Sequence, residues 1–197
     1  MKRIIAIILS AAVMLMAGCS SVQEPVTTVP LDPETITVGD VAGTIEGDRY
    51  ISHVGGVAFK LSGKYSAEWP DSDKRNILMC DYTDIDIDGP WFVWEKKASI
   101  KIDYVLDEHL KADAMKEHTL EEWNSTSKYP IKSMEYLDFT VSGKTCRGIK
   151  SVLDNNGRDV ATLQLYFFQD NGLLVLFTIT GINDKEVDKI VKNIQFA

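Results

Sequence analysis

The stretch 152–180 reads VLDNNGRDVATLQLYFFQDNGLLVLFTIT, and its reading decides the fold. Two apolar, β-branched and aromatic runs, 160–168 and 173–180, flank Asp170-Asn171-Gly172. Asn155-Asn156-Gly157 precedes the first run. These separators supply the positive-φ residues that tight hairpins need. The run 173–180 is apolar at nearly every position, which predicts a strand covered on both faces. Upstream, MEYLDFTV (134–141) and TCRGIKSVL (145–153) meet at Ser142-Gly143. The expected unit is a four-strand antiparallel meander.

More strands precede it. GVAFKL (56–61), YSAEW (65–69), NILMCDY (76–82), WFVWE (91–95) and ASIKIDY (98–104) carry strand composition. In the last of these, Ile100, Ile102 and Tyr104 share one face, while Ser99, Lys101 and Asp103 share the other. The period then changes. Residues 107–124 read as a central helix with Leu110, Ala114, Leu120 and Trp123 roughly on one side. Thr119-Leu120-Glu121-Glu122 has the form of a capping box at which that helix breaks and restarts. A second helix closes the chain, with Asn183 as N-cap and an apolar stripe at Val187, Ile190, Val191 and Ile194. The fold class is α+β: an antiparallel sheet with a central and a C-terminal helix packed on it.

The chain has 197 residues and a net charge of −8. Residues 1–18 carry Lys2 and Arg3, an apolar run from Ile4 to Met16, and Ala17-Gly18 directly before Cys19. This has the organisation of a secretory signal and is too short for a stable membrane span. It resembles a bacterial lipobox, with Met16 where Leu is usual. The resemblance implies that Cys19 is acylated and anchors the chain to a membrane outside the cytoplasm, or to an outer membrane where there are two. Removing the signal leaves 19 basic against 29 acidic residues, a net charge of about −10. So acidic a chain excludes general nucleic-acid binding and leaves attachment to anionic headgroups to the lipid. Residues 19–48, rich in Thr, Pro, Val and Ser, read as a flexible tether. Residues 49–197 are enough for one domain with its own core.

The chemistry-bearing residues are sparse. His53, His109 and His118 stand in no ligand-spaced cluster, and no nucleophile elbow, P-loop or dinucleotide fingerprint occurs. The expectation is a protein that is not an enzyme and needs no cofactor, with a secreted hydrolase of dispersed site as an alternative. Cys80 and Cys146 lie in strands of a chain sent to an oxidising compartment. They are either a disulfide or two buried thiols. Trp91 and Trp94, three apart in a strand, point to opposite faces. At least one enters the core or packs under a helix; the other is either an ordinary edge aromatic or an exposed ring that suits a partner or a glycan.

One motif stands apart. DIDIDGPWFVWE (84–95) fits the EF-hand loop pattern, with Asp84, Asp86, Asp88 and Glu95 as calcium ligands. Against this, strands flank it and Phe92 holds a ligand position. Three alternating aspartates on a straight strand stand about 6.6 Å apart in succession. The competing reading turns Ile85 and Ile87 inward and starts a hairpin at Asp88-Gly89. A calcium-dependent binding module at this loop is thus the second functional reading.

The opening GVAFKLSGKYSAEW, the order of elements, and the close VSGKTCRGIKSVL, LLVLFTITG, DKEVDKIVKNIQF resemble small secreted lipoproteins with the PsbP/DcrB-like fold, over residues 50–197. Ser62-Gly63 stand where that group usually has Pro-x-x-Trp, and Trp69 comes later. The resemblance implies a non-catalytic accessory or binding lipoprotein and assigns no active-site residue.

Overall fold

The structure is a computed structural model that describes residues 26, 31, 37–70, 76–80, 82–95 and 97–196. Within these, two antiparallel sheets and short helices build the fold. The first element is α1 (Val38–Ala42), followed by β1 (Thr44–Glu46), β2 (Arg49–Ser52), β3 (Val57–Lys60), β4 (Ser66–Glu68), β5 (Asn76–Cys80), β6 (Tyr82–Trp94) and β7 (Ala98–Leu106). Next come α2 (Glu108–Met115), α3 (Leu120–Thr126), β8 (Ile131–Val141), β9 (Lys144–Asn155), β10 (Arg158–Phe168), β11 (Leu174–Gly181), α4 (Asp184–Val191) and β12 (Ile194–Phe196).

The larger sheet has the order β4-β6-β7-β11-β10-β9-β8, with β5 also on β6. The meander is present as β8 to β11. Its hairpins turn on Ser142 and Gly143, on Asn156 and Gly157, and on Gly172, all at positive φ. Asn155 faces Arg158 and Val141 faces Lys144, so the first two loops have two residues each.

A second sheet, β1-β2-β3-β12, was not expected. The main core lies between the sheets. Ile100, Ile102 and Tyr104 of β7, Val175, Phe177 and Ile179 of β11, and Leu163, Leu165 and Phe167 of β10 meet Tyr50, Val57 and Phe59 of the small sheet. Val187 and Ile190 of α4 close one side of the same core. The expected apolar stripe is therefore real, but its last member, Ile194, lies in β12 and pairs with Phe59.

The opposite face of the large sheet carries Val105, Ile149, Tyr166 and Leu174, packed against Leu110, Ala114 and Trp123. β11 is thus covered on both faces along its first half. The central helix is two helices. Thr119 and Glu122 form a reciprocal capping box that starts α3. The α2–α3 junction is pinned to β8, since the main-chain N–H of His118 and Trp123 Nε1 both donate to Tyr136 Oη.

The folded part begins earlier than residue 49. Thr37 caps α1 in a reciprocal box with Asp40, and Val41 is fully buried in the main core. Val26 is buried against Ile51 and Ala58, and Leu31 packs on the core. Short apolar residues in a Thr/Pro-rich stretch gave no periodicity, so the expected tether boundary fell too late. Cys19 lies outside the described residues. Among the described residues, no helix is long and apolar enough to cross a membrane.

Candidate functional site

β6 is the strand that organises the surface features. Its first half pairs with β5, its second half with β4, and its other edge with β7 along both halves. The register on β7 shifts between Asp88 and Trp91, a bulge at Gly89-Pro90. Asp88-Gly89 therefore does not begin a hairpin. The chain reverses instead at the two ends of β6, where Cys80 faces Tyr82 and Trp94 faces Ala98.

The bulge explains Gly89. Its φ is not positive, so it is not the sharp-turn glycine of a calcium loop. It is there because a Cβ would collide with the Ile102 carbonyl and press on the Tyr104 ring. Gly55 abuts the same ring, where a Cβ would again collide. The Gly89 N–H donates to Asp103 Oδ1 at 3.4 Å, and Asp103 also pairs with Lys101 at 2.9 Å.

Asp84, Asp86 and Asp88 occupy successive alternate positions of continuous strand, and their side chains lie outside the described residues. Glu95 sits at the far end in the β6–β7 turn, with φ 23°. Eleven residues of near-continuous strand put roughly 30 Å between Asp84 and Glu95. The backbone does not bring the four proposed ligands together. Among the described residues no cluster of three His, Cys, Asp or Glu forms a metal site.

Cys146 is a free, buried thiol on β9, and burial, with Asp138 nearby, pushes its pKa up to about 11. Cys80 closes β5, five ladders away along the sheet path, and its side chain is not described. At about 4.8 Å per ladder the separation far exceeds the roughly 7 Å limit for a disulfide. The bridge weighed from the sequence finds no support.

The histidines are apart. His53 is exposed after β2, and His109 is exposed on α2. His118 lies between α2 and α3 and is not exposed. It is wedged at that junction, edge-on to Trp123 and 3.4 Å from Asp113 Oδ1.

Two grooves meet at the β6–β7 turn. The first, about 250 Å³, lies between the loop after β3, the turn, and α4. Phe59, Trp94 and Ile190 give it apolar walls. Lys60, Lys64, Lys97 and Lys189 face Glu95 and Glu186 around it. Lys60 pairs with Asp48 at 3.2 Å and Lys189 with Glu186 at 2.7 Å. Among the described residues, Lys64 and Lys97 have no ion pair. Glu186 is held ionised chiefly by its hydrogen bond from Lys189, with Lys97 a smaller cause.

The second groove, about 540 Å³, opens on the large sheet beside the β9–β10 hairpin. Trp91, Val93, Val160 and Ile182 line it, with Asn155, Arg158 and Asp159. Trp91 is 40% exposed and Ile182 55% exposed, so two large apolar side chains face water over the same hollow. Trp94 is half-buried and donates Nε1 to the Ser62 carbonyl at 2.8 Å, which holds the loop of the first groove. The expected opposition of Trp91 and Trp94 is thus the wall between the grooves.

Lys97 belongs to both grooves, and its backbone is fixed. Its N–H donates to the Trp94 carbonyl at 2.8 Å, and its carbonyl accepts from Ile182 at 2.9 Å. Sequence reading missed the lysines and Ile182, because they come from four separate segments. The only local signal was an isoleucine in a polar loop after a strand.

No family model matches the chain, and no curated protein matches it. Among solved structures, the chain is similar to LpqN, involved in cell envelope biogenesis of Mycobacterium tuberculosis. The identity is 11% and the TM-score 0.35, over 68% of this chain and 85% of that one. So slight a likeness bears no weight for fold or function.

Proposed function

We propose that this protein is a lipid-anchored extracytoplasmic binding protein that holds an envelope component without transforming it. The observation that carries the reading is the exposed pair Trp91 and Ile182 over one groove that runs into a second at Lys97. Exposed aromatic and aliphatic groups gathered at a hollow, with a few polar side chains around them, suit recognition.

Anchoring at Cys19 fits the same role. Val26, which is docked, lies seven positions after Cys19, a reach of at most about 25 Å. The domain then works close to the membrane surface rather than on a long arm.

The test is co-sedimentation of the full chain, in mild detergent, with purified wall and membrane fractions. Wild type sediments with one of them, and Trp91→Ala with Ile182→Asp sediments several-fold less. In cells, Cys19→Ala moves the protein out of the membrane fraction. Equal sedimentation of wild type and double variant, with unchanged membrane association of Cys19→Ala, removes the reading.

A further inference from the structure

We infer that the paired grooves bind an anionic glycan chain, its acid group between Lys64 and Lys97 and a sugar ring on Trp91. The inference rests on the binding role proposed above and names the ligand class.

Charge is the first argument. The chain carries −8 overall, yet Lys60, Lys64, Lys97, Lys189 and Arg158 outnumber Glu95, Glu186 and Asp159 around the two grooves. An electropositive hollow on an acidic protein attracts anions there and repels them elsewhere, which favours one docking place. Lys60 and Lys189 each sit in an ion pair, whereas among the described residues Lys64 and Lys97 form none, Lys97 acting on Glu186 only through space. A carboxylate or phosphate placed between these two gains charge-assisted hydrogen bonds without breaking an existing pair.

The shape of the second groove is the next argument. Trp91 offers an exposed apolar ring, and Asn155, Ser99 and Thr180 offer neutral hydrogen-bonding groups near it. A sugar has the matching character, an apolar C–H face and a hydroxyl edge. An extended acidic peptide is the rival ligand, but it would draw affinity from adding to a sheet edge. β7 and β11, which supply Ser99 and Thr180, are interior strands paired on both sides. Among the described residues, neither of these two strands has an open edge for a peptide.

The experiment is calorimetric titration of the detergent-solubilised full chain with four probes: oligogalacturonate, dextran phosphate, neutral dextran and oligoglutamate. At least one anionic glycan binds, at least tenfold more tightly than neutral dextran or oligoglutamate. The better of the two assigns the acid group as carboxylate or phosphate. Affinity falls at least tenfold in Lys64→Glu with Lys97→Glu, and several-fold in Trp91→Ala. It is unchanged in Lys116→Glu with Lys128→Glu, which alters net charge equally at the α2–α3 end. Thermal unfolding of each variant checks that the fold persists. Failure of both anionic glycans to bind overturns the inference, as does binding insensitive to the Lys64 and Lys97 changes. Oligoglutamate binding as tightly would assign the grooves to an acidic peptide instead. If these titrations fail while envelope co-sedimentation still depends on Trp91 and Ile182, only the ligand class is lost.

Discussion

The hydroxyls of Tyr50 and Tyr104 meet at 2.7 Å between the two sheets, in full burial. One phenol comes from the small sheet and one from the large, so this bond ties the layers together. Ser52 stands beside them, donating to the Val41 carbonyl at 2.9 Å and accepting from the Gly55 N–H at 3.0 Å. Replacing either tyrosine with phenylalanine leaves the other hydroxyl buried without its partner. Each single change is expected to cost about 1–3 kcal/mol, and the double change less than the sum of the two. Urea unfolding of the four proteins measures this; strictly additive losses would separate the two hydroxyls.

The same burial makes the fold sensitive to alkali. Desolvation raises Tyr50 well above its ordinary value, and lifts Tyr104 and Tyr166 to about 12. An unfolded tyrosine releases its proton near pH 10. Between about pH 10 and 12 the folded chain therefore binds more protons than the unfolded one. Stability is full below pH 10 and falls as pH rises through this window, by about 1.4 kcal/mol per pH unit for each such tyrosine. Urea midpoints at pH 9, 10 and 11 should show the decline, and Tyr104→Phe should make it shallower. A flat profile to pH 11 would contradict it.

Gly89 separates two meanings of one motif. As the turn of a calcium loop it would matter only with metal bound, and Glu95 would matter equally. As the close approach of β6 to Ile102 and Tyr104, it matters with no metal present. Gly89→Ala is expected to cost at least about 2 kcal/mol in a calcium-free buffer, because backbone rather than a flexible side-chain end must move. Glu95→Ala should shift stability by less than about 0.5 kcal/mol, as an exposed change does. Thermal unfolding with and without 10 mM calcium, on the order of the weak extracellular range, completes the test. A calcium-dependent rise lost in Glu95→Ala would restore the metal loop.

How much of this was legible follows from element length. Strands of eight to eleven residues, such as β7 and β10, carry enough alternation to reveal their faces. The inward set Ile100, Ile102 and Tyr104 was readable for that reason. The turns were readable because positive φ demands particular residues, as at Asn156 and Gly157. Of the small sheet only β3 was readable, within GVAFKL (56–61); β1, β2 and β12 have three or four residues each and gave no period, so the sheet itself was hidden. Ile194 continued the helical stripe of α4 in sequence, but tertiary pairing with Phe59 won. The grooves were hidden for a different reason. Lys64, Lys97, Arg158 and Lys189 lie in loops and element ends far apart in the chain, and only the packing of α4 and the β9–β10 hairpin beside the β6–β7 turn gathers them.

Cys146 offers a direct check on the redox state. It is buried on β9, with its thiol pushed up to about 11 by burial, so little thiolate exists near neutrality. The folded protein should react slowly with a thiol reagent at pH 8 through Cys146, and quickly once unfolded in urea. A reductant should leave the unfolding midpoint unchanged. A drop of several degrees on reduction would mean that a disulfide stabilises the chain and that Cys146 is bridged after all.

The N-terminal boundary gives the last prediction. The capped α1 places Val41 in the main core, where Ser52 holds its carbonyl and Tyr50 packs nearby. Val26 covers Ile51 and Ala58 on the small sheet. Burying one valine contributes about 1.5–3 kcal/mol. A chain starting at residue 49 should therefore lose more than about 2 kcal/mol relative to one starting at residue 24. Val41→Asp in the longer chain should reproduce most of that loss, because it puts an unpaired carboxylate among apolar groups. Val26→Asp should cost less, since it lies on a small satellite cluster. Equal stability of the two truncated chains would show that the segment before Arg49 is a tether, and would lengthen the reach of the domain from its anchor accordingly.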